Sequence, residues 1–189
     1  MQPLLDKFKE LEDLLCNHRR TLAQNTGVPF VRLVYQPEEA AEVTRRLETL
    51  QRTLARDGVP VESVSCRGVI FEYYEQRGRL QQLFTLEQED PKALARNIAK
   101  RARQVLTARI LDAAGRLPGD GVIFLVDTAF VYPYFQLGPV LDACTNVIVA
   151  PLALVALYPG TVDGGWHGHR NLLFLGQRPS GYYRARTLM

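Results

Sequence analysis

The sequence predicts an α/β fold, a three-layer sandwich with a mostly parallel central sheet and helices on both faces. Two observations predict it: short apolar runs in the last third of the chain, and a strand–helix–strand pattern near its start. Residues 117–189 carry only eight of the 43 Lys, Arg, Asp and Glu residues. Strands of a parallel sheet are buried on both faces, and they therefore form short, nearly continuous apolar runs.

Each apolar run of the last third ends at Asp, Pro or Gly. The runs predict strands at Val122–Val126, 151–158, 172–176 and 182–185. Ligands of parallel sheets usually bind at the carboxyl ends of the strands. The loops after these strands are therefore where a site is expected.

The first third alternates helix, strand, helix and strand. Apolar residues at three- and four-residue steps predict a helix over 3–23, with His18 on its packed face, followed by a strand over 28–35. Pro37 then begins a helix that stops at Gly58, and residues 59–65 form a second strand. The apolar stripe of the second helix comprises Val43, Leu47, Leu50 and Leu54.

The middle of the chain is predicted to be helical. Residues 67–88 form helix broken near Gly78, and a long helix runs from Pro91 to Arg116. A stripe of mostly small residues on the long helix would allow close packing: Ala95, Ala99, Ala102, Leu106, Ile110 and Ala113.

Composition indicates one ordinary domain, residues 1–189. Hydrophobic residues make up 47% and charged residues 23%, with a formal net charge of +3, which is too mild to indicate nucleic acid by itself. We expect no signal peptide and no membrane span. Three widely spaced cysteines form neither a zinc pattern nor a disulfide framework, which favours a reduced, cytoplasmic protein.

The sequence lacks the parts of a nucleotide-hydrolysing site. Asp127 follows an apolar strand, as a metal-binding acid would. However, no Gly-rich phosphate loop occurs, and the turn after the first predicted strand carries Pro37, Glu38 and Glu39. It has no Gly and two negative charges, so it would repel phosphate. We interpret Asp127 as a strand-end or helix-cap residue, and we predict no cofactor.

A metal site and an activated thiol are the other catalytic alternatives. Asp163, His167 and His169 lie in one Gly-rich segment and suit zinc or a similar metal, although a closed site would need a further ligand from elsewhere. With Asp127 they form the alternative hypothesis, a metal-dependent hydrolase. Cys66 follows a strand and is interpreted as a buried structural cysteine. No Gly-x-Ser-x-Gly nucleophile motif is present.

Two surfaces are candidates for partner binding. The long helix presents basic residues, among them Arg96, Lys100 and Arg103, that suit an acidic protein face or DNA phosphates. No aromatic residue interleaves with them within the helix, which weighs against single-strand binding. Aromatic residues after the central strand form the second candidate. These are Phe130, Tyr132, Tyr134 and Phe135, joined at the same sheet edge by Tyr158 and Pro159, which we expect to follow the next strand.

The chain resembles the BrxB family of bacteriophage exclusion (BREX) defence systems. The resemblance is carried by the strings YPGTVDG at 158–164, LLFLG at 172–176 and YYRA at 182–185, in that order and spacing. Two earlier segments agree with it: VPFVRLVYQPEE at 28–39 and FLVDTAFVYP at 124–133.

The resemblance implies a component of a phage-defence assembly rather than an enzyme. The partners it implies are a PglZ-like protein, which resembles phosphatases, a DNA methyltransferase and a large ATPase. We therefore expect a non-catalytic interaction protein whose contacts use Arg96, Lys100, Arg103, Tyr132, Tyr134 and Phe135. A DNA-binding adaptor that uses the basic helix is a further alternative.

Overall fold

A computed structural model describes residues 2–132, 134–164, 170–176 and 184–189; for 162–164 and 170–172 it describes the backbone alone. It confirms the predicted α/β fold. Six strands form one sheet: β1 Phe30–Tyr35, β2 Val61–Ser65, β3 Val122–Val126, β4 Ala153–Gly164, β5 Arg170–Phe174 and β6 Arg186–Leu188. The order across the sheet is β2-β3-β4-β1-β6, and every pairing in it is parallel. Only β5 is antiparallel, and it pairs with β4.

The helices cover both faces of the sheet. They are α1 Leu4–Asn17, α2 Ala40–Arg56, α3 Cys66–Glu75, α4 Leu80–Glu89, α5 Pro91–Arg116 and α6 Gly138–Asp142. One core lies between the sheet and α3–α6, and a second lies between the sheet and α1 with α2. Strand β3 divides its side chains between the two, with Ile123 and Leu125 in the first core and Val122 and Phe124 in the second. The strand sequences are nearly continuously apolar because both faces of the sheet are buried.

Three expectations for the helices need correction. The first helix ends at Asn17 rather than near residue 23, and a short 3-10 helix, Arg19–Thr21, follows it. His18 is its exposed C-cap, with Nε2 3.5 Å from the Asp13 carboxylate, and is not a packed residue. In the first half of α5 the buried positions are Leu94 and Ile98. They lie one residue before the predicted Ala95 and Ala99, because larger side chains fill the space there.

Two predicted strand positions also shift. Strand β4 continues to Gly164, so Tyr158 and Pro159 lie inside the strand rather than after it. The last strand is Arg186–Leu188, whereas Tyr182 and Tyr183 fall outside the described residues. The other predicted elements are confirmed within a few residues, including the break at Gly78, which has a φ of 62°.

A lysine is buried where α1 packs on the sheet. The Nζ of Lys7 donates a hydrogen bond of 2.7 Å to the Val34 carbonyl, just beyond Leu33, where the β1–β6 pairing ends. Burial lowers the pKa of Lys7, and the charge of Glu39 partly opposes that shift. The ammonium therefore compensates a strand carbonyl at the cost of its own desolvation. In the described part of the chain, no helix is long and apolar enough to cross a membrane.

Strand β4 changes partner halfway along its length. Up to Pro159 it pairs in parallel with β1 on one side, and up to Ala156 with β3 on the other. From Gly160 to Gly164 it pairs antiparallel with β5. The sheet strand thus continues past its neighbours as a two-stranded ribbon, which we call the β4–β5 ribbon.

We predict that Gly160→Ala destabilises the β4–β5 ribbon. A Cβ at this position would overlap the carbonyl oxygen of Leu173 on the paired strand, and backbone atoms cannot give way as a flexible side chain would. We expect a loss of about 1–3 kcal/mol in the free energy of unfolding. Amide hydrogen exchange should also accelerate in residues 170–174.

The matched control is Gly119→Ala, because a Cβ there meets no described atom within 4 Å. Denaturant unfolding and hydrogen exchange of both variants provide the measurement. Equal stability of Gly160→Ala and Gly119→Ala would show that the ribbon does not require a glycine at this crossing.

Candidate functional site

The carboxyl edge of the sheet is where α/β proteins usually bind ligands. The turn after β1 is a 3-10 helix, Pro37–Glu39, with a capping box at its start. Within it the Gln36 amide donates a 2.8 Å hydrogen bond to the Glu39 carboxylate. A carboxylate of the chain itself thus takes an amide that a phosphate-binding turn would offer to its ligand. This geometry agrees with the sequence-based argument against phosphate binding here.

Asp127 joins the ends of two neighbouring strands. It follows β3 with a φ of 54°, in the left-handed region that Asp tolerates better than most residues. Its carboxylate accepts a 2.5 Å hydrogen bond from the Ser65 hydroxyl at the end of β2. Ser65 in turn caps α3 by accepting a 2.9 Å hydrogen bond from the Gly68 amide. Arg67 lies 4.0 Å from the same carboxylate. The structure therefore gives Asp127 the strand-end position that the sequence favoured.

Two titratable groups near Asp127, Tyr35 and Cys66, are held in their neutral forms. Burial, with a smaller effect of the Asp127 charge, raises the pKa of Tyr35 to about 12. The same two causes raise the pKa of Cys66, which is fully buried as the first residue of α3. Neither group is an activated nucleophile at neutral pH. Cys66 is thus the buried structural cysteine that the sequence suggested.

The predicted metal ligands fall largely outside the described residues. His167 and His169 lie there, and for Asp163 only the backbone is described, paired with Asn171 in the ribbon. Among residues that the structure does describe, no three His, Cys, Asp or Glu side chains lie close enough to hold a metal ion. The hypothesis of a metal site in the Gly-rich segment therefore stays a prediction.

The aromatic residues after β3 separate into two groups. Tyr132 contacts Phe174 of the ribbon, with ring centroids 6.2 Å apart, and Tyr158 packs against the same ring at 4.5 Å. Phe174 is thus held between residues of two other segments, which fixes the base of the ribbon. Phe135 packs against the core beneath α3–α6, as Phe130 and Tyr134 also do in part.

The second group forms a continuous row of four rings on the outer layer. Tyr134 lies 5.9 Å from Phe130, Phe130 lies 5.4 Å from Phe71, and Phe71 lies 6.3 Å from Phe84. Phe84 is 40% exposed, and the other three are half-buried. We call these four residues the aromatic surface. Sequence reasoning found Phe130 and Tyr134 but missed Phe71 and Phe84, because they come from α3 and α4.

The basic residues of α5 are exposed as predicted, but their environments differ. Arg96 lies 4.0 Å from Asp90, and Arg103 is exposed. Lys100 lines a cleft between α5 and the turn joining α3 to α4, which we call the basic cleft. Its cavity volume is about 460 Å³, and its lining residues are Tyr73, Tyr74, Arg77, Arg79, Asn97, Lys100 and Arg101.

No aromatic residue interleaves with the basic residues within α5, as the sequence indicates, but aromatic residues from another helix line the cleft. Tyr73 and Tyr74 are supplied by α3 rather than by α5. A signal was present in the sequence, since two tyrosines and two arginines lie close together over 73–79. The sequence pattern of this segment predicts only a helix broken near Gly78, and it does not show that the cluster faces α5.

We predict that Asp127→Ala lowers the free energy of unfolding by about 1–2 kcal/mol. It removes the hydrogen bond from Ser65 and places a residue with little tolerance for a positive φ at this position. Asp127→Asn keeps a hydrogen-bond acceptor and tolerates a positive φ, so its loss in the free energy of unfolding should be less than half as large. Denaturant titration provides the measurement.

Asp120→Ala is the control, an exposed Asp in the turn before β3, where we expect a change within about 0.5 kcal/mol. If Asp127→Ala is no less stable than that control, the contact from Ser65 does not hold the two strand ends together.

Comparison with protein families gives a match to a family of known context. The family model of the BREX protein BrxB matches residues 63–188, about two-thirds of the chain. The match starts within β2 and ends in β6, so it includes the ribbon, the aromatic surface and the basic cleft. It does not reach the segment 28–39, whose resemblance to the family therefore rests on the sequence string alone. Comparison with curated proteins and with solved structures found no significant match.

The matched span contains the strings at 158–164 and 172–176, which the structure places on the two strands of the ribbon. The match confirms the resemblance to the BrxB family that the sequence indicates, and with it a role in BREX defence. The chain belongs to the BrxB family of BREX proteins.

Proposed function

We propose that this chain is a non-catalytic interaction component of a BREX complex, and that it docks a PglZ-like partner through the aromatic surface. The observation that carries the proposal is the row of Phe71, Phe84, Phe130 and Tyr134. Aromatic side chains supply large contact area at a small cost in side-chain entropy, and they are enriched at the centres of protein interfaces.

The support for a non-catalytic role comes from the carboxyl edge of the sheet. In doubly wound sheets a ligand enters where neighbouring strands send their following helices to opposite faces. In this chain that point lies beside β4, because α2 follows β1 on one face and α6 follows β3 on the other. Strand β4 does not end there but continues into the ribbon. The chain's own backbone thus continues past the edge at which a ligand usually binds, and this supports a non-catalytic role.

The support for a protein partner at the aromatic surface comes from its contacts. Phe71 packs edge to face against Phe84 and Phe130, and Tyr134 packs tilted against Phe130, which fixes the positions of the rings before a partner arrives. Burial raises the pKa of Tyr134, and the nearby Glu87 adds to the shift, so its hydroxyl stays neutral. The surface therefore offers apolar area with one neutral hydroxyl, which suits the core of an interface.

We predict that the double variant Phe84→Ala/Tyr134→Ala loses co-purification with the PglZ-like protein. Truncating docked aromatic side chains typically costs more than about 1–2 kcal/mol, so affinity should fall roughly tenfold or more. The measurement is a pull-down from cells that co-express both proteins, followed by titration of the purified pair. Phage plaque counts report whether defence falls in parallel.

The control is Val147→Ala/Val149→Ala, which removes exposed apolar area from the loop before β4, at the opposite edge of the sheet. Thermal denaturation identifies variants that have not folded. A folded Phe84→Ala/Tyr134→Ala protein that binds the partner and protects cells as well as this control would disprove docking at the aromatic surface. Arg96→Glu tests in the same assay whether the basic helix adds to the contact.

We also predict that the purified chain carries far less than one metal ion per molecule. The hydrolase alternative requires a metal held by Asp163, His167 and His169, with Asp127 as the strand-end acid. Metal analysis after dialysis against weak chelator distinguishes the two. Stoichiometric zinc or manganese that is lost in His167→Ala but retained in His18→Ala would favour the hydrolase. His18 is a suitable control because it is exposed at the end of α1.

A further inference from the structure

The basic cleft gathers positive charge that no ion pair within the described part of the chain neutralises. Arg77, Arg79, Lys100 and Arg101 are all exposed around it. Within the described part of the chain, none of these four cations has a carboxylate within ion-pair distance. Three other arginines, all on α5, do have one: Arg96 with Asp90, Arg109 with Glu72, and Arg116 with Glu62 and Asp112.

Aromatic rings form part of the cleft wall. The Arg77 guanidinium lies over the Tyr73 ring, with Cζ 3.8 Å from the ring centroid, and its Nη1 donates a 3.1 Å hydrogen bond to the Tyr73 carbonyl. Two contacts thus hold an exposed planar cation on an aromatic face. Such a guanidinium plane is a surface on which an unpaired nucleobase can stack.

The second tyrosine connects the two walls of the cleft. Its ring meets that of Tyr73 at 5.2 Å, nearly perpendicular, and its hydroxyl donates a 3.2 Å hydrogen bond to the Asn97 carbonyl of α5. Burial raises the pKa of Tyr74, and the positive charges of Arg101 and Arg79 oppose that rise. The cations therefore lie near enough to act on the hydroxyl electrostatically.

The composition of the cleft identifies the class of ligand. Its lining includes neither a carboxylate nor an aliphatic side chain. Interfaces between proteins depend on apolar anchors at their centre, whereas interfaces with nucleic acids are more polar and more positive. Single strands are bound by grooves that combine cations for the backbone with stacking planes for the bases. A paired duplex would keep its bases away from the Tyr73 and Arg77 pair.

We propose that the basic cleft binds single-stranded nucleic acid. Arg79, Lys100 and Arg101 contact backbone phosphates, and a base stacks on the guanidinium that Tyr73 holds. The site is separate from the aromatic surface, and it does not depend on the docking of a PglZ-like protein.

The test is fluorescence anisotropy of a labelled oligothymidylate titrated with the full chain over a range of salt concentrations. The double variant Arg77→Gln/Arg101→Gln should bind about tenfold more weakly or worse at moderate salt. Its plot of log affinity against log salt should be less steep by about 0.7, since of the two altered residues only Arg101 contacts a phosphate.

The matched control is Arg52→Gln/Arg56→Gln, which changes the net charge equally on exposed positions of α2, on the other side of the sheet. It should change affinity less than about twofold. Equal losses of affinity in the two double variants would show that only net charge matters, and would overturn the proposal that the cleft is the binding site.

Two further outcomes would also overturn the proposal. One is no binding of oligothymidylate by the unaltered chain even at low salt. The other is stronger binding of a duplex, or of a polyglutamate peptide, than of the single strand in the same assay. Preference for the single strand, lost in Arg77→Gln/Arg101→Gln alone, would support it.

Discussion

The structure depends on the burial of strand β4 on both faces and along both edges. Among the described strands it alone pairs with both β1 and β3, and residues Ala153–Leu157 are at most 5% exposed. Both cores meet across it, since Leu154 and Ala156 face one and Val155 and Leu157 face the other. A strand that is paired on both edges and covered on both faces can be extended only beyond its own end. The ribbon is such an extension, because the chain leaves the sheet at the carboxyl edge still in an extended conformation.

The same constraint explains where interaction surfaces are available. The sheet is covered above and below, and its central carboxyl end continues into the ribbon. The aromatic surface and the basic cleft both lie on the layer that contains α3, α4 and α5. Helix α3 contributes to both surfaces there, with Phe71 in the aromatic surface and Tyr73 and Tyr74 in the basic cleft. One short helix thus separates an apolar contact region from a positively charged one, and two different partners can bind without competing for the same residues.

The sequence predicted the layers of the fold well because burial on two faces leaves a direct mark on the residue pattern. It predicted α2 and the start of α5 from local backbone effects, since Pro37 and Pro91 restrict the backbone at a helix start and Gly58 can adopt the positive φ that follows the end of α2. It failed where distant segments decide the outcome. Ala95 and Ala99 fit a small-residue stripe as well as Leu94 and Ile98 fit an apolar one, and only the shape of the opposing helices selects the latter. Likewise, Phe71 and Phe84 could not be assigned to the row that begins at Tyr134, because nothing in their spacing records the packing of α3 on the segment after β3.

The hydrogen bond from Tyr74 to Asn97 has a consequence for recognition. It joins α3 to α5 across the cleft, and the ion pair of Glu72 with Arg109 joins the same two helices elsewhere. The distance between the walls is therefore set when the protein folds and does not have to be set by the ligand. A ligand that enters such a rigid cleft loses its own conformational freedom but requires little ordering of the protein backbone, so a modest number of contacts can give useful affinity. The basic cleft would then select ligands by their width, admitting a thin extended chain and excluding a thicker one.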